Sequence, residues 1–310
     1  MSDKPRSRAA DYLVYLGVRF AVCLLQMLPF DTACGVARLL AWLAYHLDHR
    51  HRQVAMDNLN LAFPGQLTPE EIDRVVRAVF EHFCLMAIEL AHFPRRLHVG
   101  NWKRFVGMRH GDRMVHAMLS GRPLLIVTGH FGNWEIAGYS LALVGFTTHA
   151  IARTLDNPYL DDYMRQWRER TGQKTLAKKG DFDRIEEVLA GGGILATLAD
   201  QDAGQRGLFV NFFGRPASTH KAVALMAMEH KVPMLVICTP RIGDRYIVCP
   251  GELIDPLDYE NTPDAARAIT ERFTNDLERL IRMAPEQYFW LHRRWKHQPK
   301  AKATRPAAAA

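Results

Sequence analysis

The segment Val127-Thr128-Gly129-His130-Phe131-Gly132-Asn133-Trp134-Glu135 carries an imidazole and a carboxylate five positions apart, directly after a short apolar run. A histidine just past the end of a buried strand, where a helix begins, stands where open α/β sheets hold their functional groups. An imidazole oriented by a carboxylate keeps one tautomer and is stabilised once protonated, the arrangement of a general base acting on a hydroxyl. Five residues of regular helix turn through about 500° and leave the two side chains about 140° apart. His130 and Glu135 are therefore expected to meet only if the histidine lies in the turn, Glu135 lies in the first helical turn, and Gly132 allows the bend. The spacing is not that of an H-E-x-x-H zinc helix. Asp200 and Asp202 follow another apolar run and offer a second pair of carboxylates. With no further ligands nearby, they read as groups shaping the site through His130 or Arg168, or equally as caps, and no metal is expected.

The elements that must hold these groups alternate along the chain. Apolar runs at 124–127, 148–152, 194–198, 234–238 and 246–249 read as short buried strands. Helical stretches fall between them, from His130 to about Leu143 and at 157–171, 181–190, 219–230 and 262–283. Strands alternating with helices predict a sheet covered on both faces, and a hairpin turn around Asp244 makes it mixed rather than wholly parallel. A further helix starts at Thr68-Pro69-Glu70-Glu71 and keeps an apolar period to about Phe93. Phe212-Phe213-Gly214-Arg215-Pro216 reads as an aromatic turn before a helix start at Ser218-Thr219, whose exposed N–H groups would hold a phosphate or simply be capped.

The first 50 residues have a different character. Residues 13–28 are nearly all apolar, preceded by Lys4, Arg6 and Arg8 and ended by Pro29, and 36–45 form a second apolar stretch after Asp31-Thr32. Sixteen residues fall short of the ~20 needed for a straight crossing of a bilayer. No cleavage site for a removed signal peptide follows clearly. The expectation is two amphipathic helices on a membrane surface or a short span, against the alternative of core helices.

The chain has 310 residues, 48% of them hydrophobic and 24% charged, with a mean hydropathy of −0.16. That excludes intrinsic disorder and a multi-span membrane protein. Five cysteines without C-x-x-C spacing exclude a disulfide scaffold or zinc module. The net charge of +7 is local: residues 291–310 hold Arg293, Arg294, Lys296, Lys300, Lys302 and Arg305 and no acid, leaving +1 for the rest. The stretch after Pro299 reads as a disordered tail. The expected organisation is membrane-anchor helices at 1–50, a catalytic domain at 51–298 and the tail at 299–310.

The His-x4-Glu pattern of His130 to Glu135 resembles the H-x4-D/E motif of glycerolipid acyltransferases, and more narrowly the late acyltransferases of lipid A biosynthesis. The similarity runs over roughly residues 10–298. It includes Asn58-Leu59 with Phe63-Pro64, Arg153 with Asp156-Asn157-Pro158, and Arg168-Glu169-Arg170. It continues through Asp200-Gln201-Asp202-Ala203-Gly204, Val210-Asn211-Phe212-Phe213-Gly214, and the segment from Pro285 to Lys296. The resemblance implies a glycerolipid acyltransferase-like α/β fold, with a mixed, mostly parallel sheet flanked by helices. It implies transfer of a fatty acyl group from a thioester of acyl carrier protein or coenzyme A to a hydroxyl on a membrane lipid, at the cytoplasmic face of the inner membrane, without a cofactor. His130 would be the base, Glu135 its orienting partner and Arg168, or in second place Arg153, the cation facing the tetrahedral oxyanion. Arg153, Asn133, Asp200, Asp202 and Arg215 would contact substrate.

The C-terminal segment interleaves Tyr288, Trp290 and Trp295 with Arg293, Arg294 and Lys296. It reads either as a basic contact for an acidic carrier protein or anionic lipid, or as core bordered by arginines. A non-catalytic lipid- or carrier-binding protein on the same scaffold, or an acyltransferase for another polar lipid, are the alternative functions. No motif for nucleic acid is present, so none is expected as a partner.

Overall fold

The computed structural model describes residues 7–178 and 180–299; most of the expected tail lies outside them. Four helices come first: α1 Arg8–Met27, α2 Phe30–Leu47, α3 His49–Ala62 and α4 Pro69–Arg96. Then follow α5 Trp102–Phe105, β1 Val106–Met108, α6 Gly111–Leu119, β2 Leu124–Thr128, α7 Trp134–Leu143 and β3 Thr148–Ala152. Next are α8 Pro158–Glu169, β4 Lys174–Ala177, α9 Phe182–Ala190, β5 Ile194–Leu198, β6 Leu208–Phe212 and β7 Arg215–Thr219. The last are α10 Ala222–Glu229, β8 Met234–Cys238, β9 Arg241–Ile242, β10 Arg245–Ile254 and α11 Ala265–Ile281.

The main sheet runs β1-β10-β8-β2-β5-β3-β4, with β9 paired to β10, and β6-β7 form a separate hairpin. The pairings β8-β2, β2-β5, β5-β3 and β3-β4 are parallel, whereas β10 is antiparallel to β8. This is the mixed, mostly parallel α/β sheet expected. Alternation along each strand separates two apolar layers. Leu125, Val127, Leu195 and Val236 face Ala224, Phe273 and Leu277, while Leu124, Ile126, Ile194 and Ile237 face Met114 and Ile136.

The helix α4 is the spine of the N-terminal half. Thr68 and Glu71 form a reciprocal capping box, and Pro69 occupies the first turn. Its buried face includes Ile72, Val76, Val79, Met86 and Phe93, and also His82 and Glu89. The helix α1 rests on α4 and α8 but buries only Asp11. Its outer side leaves Leu13 67%, Phe20 66% and Met27 79% exposed, and α2 adds exposed Leu39, Leu40, Trp42 and Leu47. At 20 residues, α1 is long and apolar enough to cross a membrane.

Two expectations change, and one pair of alternatives is decided. The residues 215–219 form strand β7, not a helix start, and α10 begins only at Ala222, so no helix N-terminus stands behind Arg215 to hold a phosphate. The helix α2 begins at Phe30, ahead of Asp31-Thr32. The C-terminal aromatic and basic segment is largely core: Trp290 and Trp295 are buried, and Arg294 is 2% exposed. The Arg294 guanidinium donates to the Ser218 carbonyl at 2.5 Å and to Thr219 Oγ1 at 2.7 Å and lies over the Phe212 ring. Asn58 donates to the carbonyls of Trp290 and His292 at 2.6 and 2.7 Å, joining α3 to the C-terminal segment. Arg294→Ala removes two buried hydrogen bonds and leaves a void, at a cost of about 3 kcal/mol or more. Chemical denaturation should show a clearly lower midpoint; an unchanged midpoint would refute this account.

Candidate active site

The parallel register that pairs Thr128 with Leu198 brings the carboxyl ends of β2 and β5 side by side, and His130 and Asp200 follow those ends. One buried carboxylate grips the histidine twice. Asp200 Oδ2 accepts the His130 backbone N–H at 2.8 Å, and Oδ1 lies 2.8 Å from His130 Nδ1. This contact makes Nδ1 the protonated nitrogen and leaves Nε2 as the acceptor. The Tyr288 hydroxyl also donates to Asp200. Burial by itself would raise the Asp200 carboxyl, but the facing His130 ring and backbone N–H groups hold it below the usual carboxylate range. Burial would likewise lower the imidazole; the Asp200 carboxylate outweighs this, Glu135 adds to it, and His130 ends above the ordinary histidine value.

The turn after His130 follows the geometry foreseen. Gly132 has φ +62°, and a Cβ there would come 2.1 Å from the Thr239 carbonyl oxygen. Asn133 caps α7 by accepting from Ile136 N at 3.0 Å, and Glu135 sits in the first helical turn. The expected imidazole–Glu135 contact is not made. Glu135 instead forms a two-pronged pair with Arg168, through Nε at 2.9 Å and Nη2 at 2.6 Å, and accepts from Trp134 Nε1 at 3.2 Å. The carboxylate that touches His130 comes from 70 positions away, beyond the reach of a local spacing argument.

A cavity of about 580 Å³ opens beside the histidine. Its mouth carries His130, Trp134, Glu135, Arg153, Arg168, Lys178 and Gln201. Its walls run between the sheet and α7 and are mainly apolar, including Ile126, Leu141, Ala150, Ala196, Leu198 and Ile237. Small side chains at Ala150, Ala196, Ala137 and Gly138 make the room. From Ala152 to Thr148 the trough follows the strand for roughly 13 Å at about 3.3 Å per residue. Gln173 and Thr148 stand at the far end from His130, the Gln173 amide donating to Thr148 Oγ1 at 3.3 Å.

The remaining candidates fall into place around this trough. Arg153 is at its mouth, exposed and paired with Asp156 at 3.2 Å. Asn133 is fully buried and caps α7 rather than lining the trough. Asp202 turns away from His130 and lies 2.6 Å from His297 Nδ1. Arg215 is on the hairpin, donating to the Leu61 carbonyl at 3.0 Å, and does not line the trough. Lys178, Gln173 and Gly138 were not singled out in the sequence, because nothing local distinguishes a trough wall from ordinary core. Among the described residues no cluster of three or more candidate metal ligands occurs.

An imidazole–carboxylate pair, an arginine and an apolar trough on an α/β sheet are the parts of an enzyme that transfers a group bearing a hydrocarbon chain. The family model for bacterial lipid A biosynthesis acyltransferases matches residues 1–297. The chain belongs to that family and is an acyltransferase. It is 28% identical over 307 residues to the lipid A biosynthesis lauroyltransferase of Escherichia coli (strain K12), covering 95% of this chain and 94% of that one. It is 25% identical over 280 residues to the palmitoleoyltransferase of the same organism, covering 88% and 87%. A phosphatidylinositol mannoside acyltransferase of Mycobacterium tuberculosis is 27% identical over 128 residues, 40% of each chain.

The turn that carries His130 also rests on a second histidine. His82 Nε2 lies 3.1 Å from the Gly132 carbonyl, and burial lowers its pKa from 6.5 to about 4 despite that bond. The native state keeps His82 neutral, while the unfolded chain takes up a proton below about pH 6.5. Stability should therefore fall as pH drops from about 6.5 towards 4, by roughly 3 kcal/mol from this residue. Denaturation midpoints measured across that range should show a shallower dependence for His82→Gln; an equally steep one would remove His82 as the cause.

Proposed function

We propose that this protein is a membrane-associated O-acyltransferase, moving a fatty acyl group from the thioester of acyl carrier protein or coenzyme A to a hydroxyl of a lipid A precursor. The observation that carries the reading is the His130 imidazole, held by Asp200 at the mouth of an apolar trough. The acceptor hydroxyl gives its proton to His130 Nε2 as its oxygen attacks the thioester carbonyl carbon. The resulting imidazolium is stabilised by Asp200. The tetrahedral oxyanion needs a positive partner, typically worth about 3–4 kcal/mol of barrier. Arg168 is the assigned cation, because its Nη1 takes no part in the pair with Glu135. When the oxyanion collapses, the carbon–sulfur bond breaks and the proton on His130 passes to the departing thiolate. Glu135 acts by holding Arg168 and by its field at His130, not by orienting the ring. Arg153 and Lys178 at the mouth suit an anionic headgroup or the phosphate of a pantetheine arm.

The exposed apolar faces of α1 and α2 support a location on a membrane, which this reading puts at the cytoplasmic face of the inner membrane. The mannoside acyltransferase relative keeps other polar lipids open as acceptors. Mass spectrometry of purified protein incubated with acyl carrier protein or coenzyme A thioesters and a lipid A precursor should show one added acyl mass; no product from either donor would overturn the reading.

Three variants test its parts. His130→Ala should lose about 10²–10⁴-fold in kcat with folding intact. The base must be neutral to act, so the raised His130 value sets a fall in kcat/KM on the acid side at a higher pH than an ordinary histidine would give. Asp200→Asn removes the carboxylate that raises it, so this limb should move to lower pH, with a reduced maximum. An unmoved limb would separate His130 from the rate. In a competition between thioesters of different length, Gly138→Leu, at a position where even a Cβ meets the Gln173 amide at 2.1 Å, should shift preference to shorter chains. An unaltered preference would place the acyl chain elsewhere.

A further inference from the structure

The backbone between His130 and Asn133 is tied down at nearly every polar group. His130 N binds Asp200, the His130 carbonyl accepts from Phe289 N at 2.9 Å, and Gly132 N donates to the Gln287 carbonyl at 3.1 Å. The Gly132 carbonyl accepts from His82, and Asn133 N donates to the Thr239 carbonyl at 2.9 Å. Below this turn lies a buried charged group that the mechanism above does not use. Glu89, on α4 two helical turns after His82, directs Oε1 to Arg241 Nη2 at 2.5 Å. Its Oε2 accepts from the Tyr246 hydroxyl and from Asn133 Nδ2, the latter at 3.5 Å. Arg241 Nη2 also donates to the Tyr246 hydroxyl at 2.6 Å. The Arg241 backbone is clamped in turn by Gln287, which accepts from its N–H at 2.7 Å and donates to its carbonyl at 2.9 Å.

Every group facing Glu89 in this cluster is a donor. A carboxylate accepts on both oxygens, whereas a glutamine side chain must turn an NH₂ towards one of them. Asn133 has a choice of the same kind. Its oxygen must face Ile136 N to cap α7, so its NH₂ must find an acceptor on the other side, and Glu89 Oε2 is that acceptor. The cap determines where α7 starts, and α7 carries Glu135 in its first turn.

We infer that Glu89 is a positioning residue for catalysis, which through Asn133 sets the start of α7 and so the placing of Glu135 and Arg168 against His130. The inference rests on the proposed transfer reaction. The contact between His130 and Asp200, the larger cause of the raised His130 value, does not pass through this cluster, so loss of Glu89 should lower the rate while the pH at which His130 titrates moves by no more than the smaller contribution of Glu135.

The test compares the full-length protein with Glu89→Gln, Tyr246→Phe, His130→Ala and the double variant Glu89→Gln/Arg241→Gln, using acyl thioester and a lipid A precursor. Glu89→Gln should lose about tenfold in kcat, with KM for the donor within twofold and the acid limb of the rate profile moved by less than Asp200→Asn moves it. Tyr246→Phe, which removes one partner and keeps the volume, should lose about threefold in the same pattern and carries the test if Glu89→Gln does not fold. In the double variant the second substitution supplies an amide oxygen as acceptor where Arg241 offered only donors. The amide introduced at position 89 can then turn its own oxygen back to Asn133, and kcat should recover. A kcat within twofold of the parent in both single variants, or a loss in the single variant that persists undiminished in the double, would overturn the inference. His130→Ala keeps the two failures apart: full activity there sinks the proposed reaction, whereas an inactive His130→Ala beside a fully active Glu89→Gln sinks only the role of Glu89.

Discussion

Both oxygens of Asp200 are spent on one residue, and much of the site follows from that. A carboxylate buried to this degree is tolerable only if its lone pairs are met, and here the Tyr288 hydroxyl, the His130 N–H and the His130 ring meet them. The same bonds fix the turn after β2 and the plane and tautomer of the imidazole. They also tie the end of β2 to the end of β5, so the ring cannot tilt without disturbing the sheet. The histidine is not free to seek Glu135, and Glu135 is left to neutralise Arg168. Two paired carboxylates thus stand side by side, Asp200 with the His130 ring and Glu135 with the Arg168 guanidinium. Glu135 still acts on the imidazole through the low-dielectric space between them.

What could be read from the sequence was what periodicity and local chemistry express. The strands at 124–128, 148–152, 194–198 and 234–238 are nearly continuous apolar runs because both sheet faces are covered. The helix α4 announced itself by its capping box, and the bend at Gly132 by the residue itself. Strand β4, Lys174–Ala177, is short, ends the sheet and carries lysine and threonine, so no apolar run marks it. The hairpin of β6 and β7 was half seen. Phe213 and Gly214 form the turn, both at positive φ, but the strand after it ends in Ser218-Thr219, the residue types that usually open a helix.

The partner of His130 was legible only as one alternative among several, since Asp200 and Asp202 read as acting through His130 or Arg168 or equally as caps. Spacing weighs only candidates on the same segment, and by spacing Glu135 is awkward. The group that does the orienting comes from the next parallel strand in the sheet, and its approach depends on strand order. Asp200 and Asp202 look alike in sequence. Only the structure separates them, one facing His130 and the other facing His297. Arginines show the same limit: Arg168 enters the site, Arg294 enters the core and Arg215 remains on the hairpin, though each lies in a segment of equal apparent promise.

The trough and the apolar outer helices are mechanically connected. Trp167 Nε1 donates to the Leu90 carbonyl of α4 at 2.9 Å, and Arg168 is its neighbour on α8. The opposite end of α8 is held by Asn157, which caps the helix and donates to the Asp11 carbonyl of α1 at 2.8 Å. Tyr12 and Tyr15 of α1 pack on Tyr159 and Tyr163 of α8, and Arg19 lies over the Tyr163 ring. One side of α8 therefore rests on α1, while Asp161, Met164 and Arg168 on its other side line the trough. In the reaction proposed, a lipid acceptor and an acyl chain must both reach His130 with little exposure of hydrocarbon to water. A mouth formed by a helix that is itself strapped to α1, whose outer side is apolar and exposed, shortens that path. In that reaction the unburied face of α1 would be what brings the mouth close to lipid.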